Sequence, residues 1–297
     1  APADQIGDPL YNLVVVVDDA AMEITHVIRG EDHIANTAKQ LLLYKALELQ
    51  VPVFAHAPLI LNAEGRKLSK RDGVTSINDF RSMGYTAEAI ANYMTLLGWS
   101  VPEGMEERFT LSQAAEVFGF DRVNKAGARF DWDKLNWLNA QVLHGLTPEQ
   151  LLDAAAPLWR QKKWSLPDDP SWSLALCELL GPSLTLLKDA VDQAQPFFVC
   201  PELQEDGLKQ LNVEGSRSAL NHLVESLEAD PWDGIDIAEA QSMLADAANR
   251  AGVKKGVVMK SLRAALLGRL QGPDLITTWS LLARIRQDLP RLKRCLP

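Results

Sequence analysis

Between Asn62 and Gly73 runs Asn-Ala-Glu-Gly-Arg-Lys-Leu-Ser-Lys-Arg-Asp-Gly, a glycine-flanked segment with four cations in six positions: Arg66, Lys67, Lys70 and Arg71. Lys67 and Lys70 stand three apart around Ser69. Two ammonium groups beside a small hydroxyl suit a polyanion, because lysine is a mobile point charge on a long stem and can follow a phosphate whose charge shifts during a reaction. Gly65 and Gly73 would let such a loop open and close. From charge alone, a solvated basic turn is the simpler reading.

The elements that must position this loop read as an α/β piece. Asn12 to Val17 is rich in valine and Met22 to Ile28 in β-branched residues, so each predicts a strand. A helix is expected from about Thr37 to Leu49, where Ala38, Leu41, Leu42 and Ala46 recur at helical spacing, and a further strand from Pro58 to Leu61. Nothing here supplies a Gly-rich first turn. After Gly73 the pattern becomes helical, announced by Thr110 with Gln113 and by Thr147-Pro148-Glu149-Gln150, a capping box with proline at the first helical position. Helices are expected over Trp172 to Leu180, Ser183 to Ala194, Ser216 to Ala229, Ile237 to Gly252, Val257 to Gly268 and Leu275 to Leu289. Three regions follow: 1–61 as an α/β piece, 62–145 as the loop and a mixed connecting region, and 146–297 as all-α.

The 297 residues, 47% hydrophobic and 23% charged, have globular proportions. No apolar stretch approaches the roughly 20 residues of a membrane span, so no membrane partner is expected. Cys177, Cys200 and Cys295 are odd in number and far apart, which predicts a reducing, cytoplasmic setting and offers no zinc framework. A net charge of −9 argues against a nucleic-acid partner, yet Arg250 to Pro297 holds 11 Lys and Arg against Asp274 and Asp288 only. A basic end on an acidic body is the pattern to explain. The many tryptophans, Trp99, Trp132, Trp137, Trp159 and Trp279 among them, read as core rather than as base-stacking platforms.

Lys67-Leu68-Ser69-Lys70-Arg71 resembles the KMSKS signature of class I aminoacyl-tRNA synthetases, in the KLSKR form of bacterial glutamyl-tRNA synthetases. Tyr11-Asn12-Leu13, Val15-Val16-Val17-Asp18-Asp19 and Thr25 to His33 resemble the stretch that precedes that signature. Asn92-Tyr93-Met94, Leu97-Gly98-Trp99, Lys134 to Asn139 and Ser261 to Leu266 resemble stretches that follow it. The HIGH-type signature of the family is absent, and His33-Ile34-Ala35-Asn36 is not it. The expectation is therefore a chain lacking the N-terminal part of the catalytic domain and inactive alone.

The resemblance implies a class I Rossmann-like catalytic domain in part, a stem-contact region and a helical anticodon-binding region. It implies formation of glutamyl-adenylate from L-glutamate and ATP, with Mg2+ accompanying ATP, and transfer of glutamate to the 3′ end of tRNA. Lys67 and Lys70 would stabilise charge on the phosphates, with Ser69 and Asp32 also at the ATP site; no protein metal ligands are expected. Tyr11, Asn12, Val15 and Arg29 would bind glutamate, Arg29 by a planar fork onto its side-chain carboxylate. A bridge from Arg29 to Glu31 or Asp32 is the structural alternative.

In the helical region the resemblance places Ser183, Arg263, Pro273 and Leu275 near the anticodon. Enzymes strict for tRNA(Glu) tend to carry an arginine near Gly181-Pro182-Ser183, and no arginine occurs between Arg160 and Arg217. A non-discriminating enzyme, taking tRNA(Glu) and also tRNA(Gln), is the expectation. A paralogue lacking the anticodon region is opposed by the roughly 150 helical residues after Leu146. A non-catalytic tRNA-binding protein derived from a class I synthetase is the alternative, opposed by Lys67, Lys70 and Arg29.

Overall fold

The computed structural model describes residues 7, 9–68 and 76–297, so Ser69, Lys70, Arg71 and Gly73 lie outside the described residues. Two compact units are present, Ala1–Phe80 with Ala87–Leu138, and Arg81–Thr86 with Asn139–Pro297.

The first unit opens with helix α1 (Tyr11–Ala21), where a strand was expected from the valine run. The helix is explained by its buried face: Asn12, Val15, Val16, Asp19 and Ala20 recur at i, i+3, i+4, i+7 and i+8, all half-buried or buried. A helix-propensity cost of a few tenths to about 0.7 kcal/mol per valine is small against packing on the neighbouring helix. The next strand sits later than expected, as β1 (His26–Gly30). Helix α2 (Ile34–Ala46) follows, and then β2 (Val53–Ala57) rather than a strand over 58–61. The strands pair in parallel, His26 opposite Val53 and Arg29 opposite His56, and α2 is the crossover that parallel strands require.

Strand alternation puts Val27, Arg29, Phe54 and His56 on one face of this two-stranded sheet. Toward it α2 turns Thr37, Gln40 and Tyr44, which are nearly inaccessible, with the Tyr44 ring edge-on to Phe54 at 6.5 Å. The opposite face leaves Ile28 57% and Val53 58% exposed.

Beyond β2 the chain forms a tight reversal that fixes Lys67. Leu61 bridges both Lys67 and Arg129, Leu68 N–H donates to the Ile60 carbonyl at 2.8 Å, and Arg66 N–H to Asn62 Oδ1 at 2.9 Å. The turn needs Gly65 at φ 76°, so here Gly65 serves the reversal itself. The unit continues through the first part of α3 (Ile77–Met83), α4 (Ala87–Gly98), α5 (Leu111–Val117) and the first part of α6 (Trp132–His144). α5 has the expected Thr110–Gln113 capping box. Trp99 and Phe109 form a small core beside it; Trp137, expected in a core, is 47% exposed on α6.

The second unit holds α7 (Pro148–Gln161), α8 (Pro170–Leu180), α9 (Asp189–Phe198), α10 (Glu205–Leu211), α11 (Ser216–Ala229), α12 (Ile237–Ala251), α13 (Lys255–Leu267), α14 (Leu275–Arg284) and α15 (Asp288–Lys293). Trp159, Trp172, Leu223, Leu244, Leu262 and Trp279 lie in one core. α7 carries the expected capping box on Thr147 with Pro148 at its start. Two expected helices differ. Residues 181–183 form a separate turn, and α9 starts at Asp189 because that carboxylate accepts the Leu186 and Thr185 N–H groups. The helix expected over 275–289 breaks at Arg286, in the left-handed conformation at φ 58°, where Arg286 and Gln287 N–H close onto the Ala283 and Leu282 carbonyls.

Candidate functional sites

Arg29 ends β1 with its guanidinium held by neutral groups. Nη2 donates to Thr37 Oγ1 at 2.5 Å and to Gln40 Oε1 at 2.7 Å, and Cζ lies 5.4 Å from the centre of the Phe54 ring. Gln40 Nε2 donates onward to Asn12 Oδ1 at 3.0 Å, so β1, α2 and α1 meet in one polar chain. Thr37 Oγ1 also lies 2.8 Å from His56 Nε2. Arg29 Nε is buried with no hydrogen-bond partner. The alternative bridge to Glu31 or Asp32 is not formed: Glu31 Oε1 accepts the Leu59 N–H at 3.3 Å, and Asp32 pairs elsewhere.

The arrangement therefore orients a cation without neutralising it. A partly buried guanidinium surrounded by amide, hydroxyl and aromatic groups keeps its demand for an anion. Tyr11, exposed at the start of α1, approaches His33 with its hydroxyl 3.5 Å from Nδ1. Val15 is half-buried one turn along from Asn12.

Asp32, in the turn after β1, receives the Lys67 ammonium at 2.7 Å across an exposed gap. The hydrogen bond from Lys67, reinforced by its charge, holds the Asp32 carboxyl below its ordinary range. Exposed ion pairs of this kind contribute little stability and exchange partners readily. Lys70 and Ser69, which complete the sequence-predicted phosphate site, lie outside the described residues. Among the described residues no group of three or more His, Cys, Asp or Glu side chains is placed to hold a metal ion.

In the helical unit a cleft of about 470 Å3 is bordered by Pro182 and Ser183 from the turn after α8, Gln193 from α9, Arg269 after α13, and Pro273 and Asp274 before α14. Ser183 Oγ lies 2.8 Å from the Leu180 carbonyl and 2.6 Å from Gln193 Oε1. Arg263 Nη1 donates to the Pro273 carbonyl at 2.6 Å, and burial lowers its pKa against the opposing charge of Asp274. Asp274 caps α14 by accepting the Thr277 N–H at 2.9 Å. Burial pushes its carboxyl up, but the Thr277 hydrogen bonds and Arg263 outweigh that and leave it below the ordinary range. Leu275 is only 3% exposed and packs in the core.

Several of these residues were invisible in the sequence. Gln40, Thr37 and His56 carry no motif; the usable signal was polar residues at i and i+3 on the helix face that must turn to the strands. Arg269, more than 80 positions on in the sequence, borders the same cleft as Pro182 and Ser183.

Two family matches divide the chain. Residues 4–137 match the tRNA synthetases class I (E and Q), catalytic domain, and residues 150–296 match an anticodon-binding domain. A glutamate–tRNA ligase of Parasynechococcus marenigrum is 79% identical over 296 residues, covering all of this chain and 62% of the relative; one from a Synechococcus strain is 64% identical over 297 residues with the same coverage. The chain thus spans less than two thirds of the length of the curated relatives it matches. The crystal structure of a glutamate tRNA ligase from Elizabethkingia meningosepticum in complex with its amino acid superposes with a TM-score of 0.84 at 29% identity, over 97% of this chain and 60% of that one. Residues 4–137 thus belong with the catalytic domains of class I (E and Q) tRNA synthetases and residues 150–296 with anticodon-binding domains, as the resemblance to these ligases implies.

Proposed function

We propose that this chain serves a glutamate–tRNA ligase, activating L-glutamate with ATP and passing the glutamyl group to the 3′ end of tRNA. The observation that carries the reading is Arg29. Its guanidinium is aimed by Thr37 and Gln40 and, among the described residues, has no carboxylate partner and no acceptor for its buried Nε. A glutamate side-chain carboxylate supplies the missing charge and acceptors, while glutamine supplies no charge. Asn12 steadies Gln40 from the far side, and Tyr11 and Val15 border the same end of α1.

In activation the α-carboxylate of glutamate attacks the α-phosphorus of ATP, an acyl–O–P bond forms, and pyrophosphate leaves with the electron pair of the broken P–O bond. Both attacking and leaving groups are anions, so the chemistry needs cations rather than an acid or base. Lys67 is the described cation for this role. It rests on Asp32 at 2.7 Å, and it trades that carboxylate for phosphate oxygens as ATP arrives. Lys70 and Ser69 belong to the same role by their place in the loop. When bound with ATP, Mg2+ would supply further positive charge to the phosphates. The setting is the cytoplasm, consistent with three free cysteines. Among the described residues no helix is long and apolar enough to cross a membrane.

The helical cleft is the anticodon-side contact, and the tRNA partners are tRNA(Glu) and tRNA(Gln). Tolerance of both is supported by the small Ser183 and by Gln193, whose amide can present either a donor or an acceptor to a base edge. The test is glutamate-dependent pyrophosphate exchange by the complete protein carrying this chain. Lys67→Ala and Lys70→Ala should each slow exchange by about 100-fold or more, the scale of one lost transition-state charge partner. Exchange at the parent rate in both variants would overturn the assignment, and a tRNA-binding protein without adenylate chemistry would then be the better reading.

A further inference from the structure

The C-terminal stretch of the helical unit fixes its arginines almost everywhere. From Arg217 onward, Arg250 pairs with Glu225, Arg284 with Asp169, and Arg217, Arg263, Arg286, Arg291 and Arg294 each donate to a backbone carbonyl. Arg269 is the exception: among the described residues its side chain has neither an ion pair nor a hydrogen bond. Its backbone, by contrast, is clamped. Gly268 ends α13 at φ 73° with its carbonyl accepting the Gln204 N–H at 2.8 Å, and Leu270 N–H donates to Asp206 Oδ2 at 2.9 Å. A Cβ on Gly268 would stand 2.1 Å from the Glu202 carbonyl oxygen, so this turn has one conformation. The root of Arg269 is rigid, its head is uncommitted, and it borders the cleft that also holds Ser183, Gln193, Pro182 and Pro273.

We propose that Arg269 is a specificity-determining residue of this cleft, docking its guanidinium on the hydrogen-bonding edge of one nucleobase of the bound tRNA. This rests on the reading of the cleft as the anticodon-side contact. A base fits better than a phosphate for two reasons. The walls contributed by Leu179, Pro182, Pro196 and Pro273 are apolar and suit the faces of a ring, whereas Asp274, an ionised carboxylate in the same cleft, repels a phosphate. Two acceptors side by side on a base edge match the guanidinium fork. Ser183 and Gln193, already paired with each other, complete a polar rim that can yield to the edge of a base.

The experiment uses the complete synthetase with Arg269→Ala and Arg269→Lys, and tRNA transcripts changed one anticodon-loop nucleotide at a time. Thermal unfolding should be unchanged in both variants, since the side chain holds nothing in the fold. For the parent transcript, kcat/KM should fall about 10- to 100-fold in Arg269→Ala, mostly through KM, with Lys recovering only part of it. At one position, a base change that penalises the parent enzyme by at least 10-fold should penalise Arg269→Ala less than 3-fold. Uniform weakening across all transcripts with a shallower salt dependence would identify a phosphate contact and overturn the proposal, as would parent-like kinetics in Arg269→Ala. If instead the parent enzyme charges no tRNA, or ignores every anticodon change, the underlying functional reading fails rather than the assignment of Arg269.

Discussion

In the helical unit the large buried polar side chains are anchored on backbone carbonyls or on a carboxylate, although Arg291 Nε, like Arg29 Nε, has no hydrogen-bond partner among the described residues. Trp159 Nε1 donates to the Ala190 carbonyl, Trp172 Nε1 to that of Leu281 and Trp279 Nε1 to the Asp288 carboxylate; Arg291, buried and lowered to about 10 by its desolvation, donates to the Leu266 carbonyl. In the α/β unit Arg29 has the side-chain oxygens of Thr37 and Gln40 as its hydrogen-bond acceptors and no ion pair among the described residues. Anchoring on the main chain suits a scaffold, whereas a cation oriented by neutral side chains suits an anionic ligand. Under the proposed function, the difference separates the part that holds shape from the part that would hold substrate.

The comparison breaks most sharply at Trp172. Trp172→Ala removes a fully buried indole and its hydrogen bond, and should destabilise the helical unit by about 3–5 kcal/mol in denaturant titration. Trp172→Phe keeps most of the volume and should cost about 1–3 kcal/mol for the orphaned Leu281 carbonyl. A loss below about 0.5 kcal/mol in Trp172→Ala would show that this core is not what holds the helices, since that is the scale of an ordinary surface change.

Gln40 should give an intermediate effect with a different signature. It is 1% exposed and joins Arg29 to Asn12, so Gln40→Ala should cost about 1–3 kcal/mol of stability and also raise the KM for glutamate. A stability loss with unchanged KM would make the polar chain merely structural and erase the contrast between the two units.

The smallest effect is expected at Asp169. Hydrogen bonds from Ser171 and then Arg284 hold its carboxyl at about 2, against an ordinary 3.8. A depressed carboxylate contributes stability above its unfolded pKa and loses it as pH falls toward the folded value. Unfolding followed from pH 4 to 2 should therefore fall less steeply in Asp169→Asn than in the parent. Equal slopes would show that the pair at this surface is not formed in solution.

What the sequence disclosed follows the same division. The capping boxes at Thr110 and Thr147, and helix α11 with its full Ser216–Ala229 extent, were legible because local hydrogen bonding and 3.6-residue periodicity decide them. The valine run at Val14–Val17 misled because β propensity was outweighed by the face that α1 packs on α2. Strand β2 at Val53–Ala57, rather than at 58–61, depends on pairing with β1, a long-range condition that no local window contains. At the site, Arg29, Lys67 and Asp32 stood in recognisable segments. Thr37, Gln40 and His56 emerged only once the parallel register had set Arg29 opposite His56. Arg269 illustrates the point in the helical unit, where the turn between α13 and α14 brings an arginine to a cleft bordered by the arginine-free α8–α9 connection.

The central claim is that Arg29 is an aimed cation awaiting the glutamate side chain, and the direct measurement is glutamate-dependent pyrophosphate exchange by the complete enzyme carrying Arg29→Gln, with glutamine as the competing substrate. A charge-assisted contact becomes a neutral one, so kcat/KM for glutamate should drop about 100-fold or more while the preference over glutamine collapses. Near-parental kcat/KM for glutamate, with discrimination against glutamine intact, would contradict the account and leave Arg29 as a structural tie between β1 and α2.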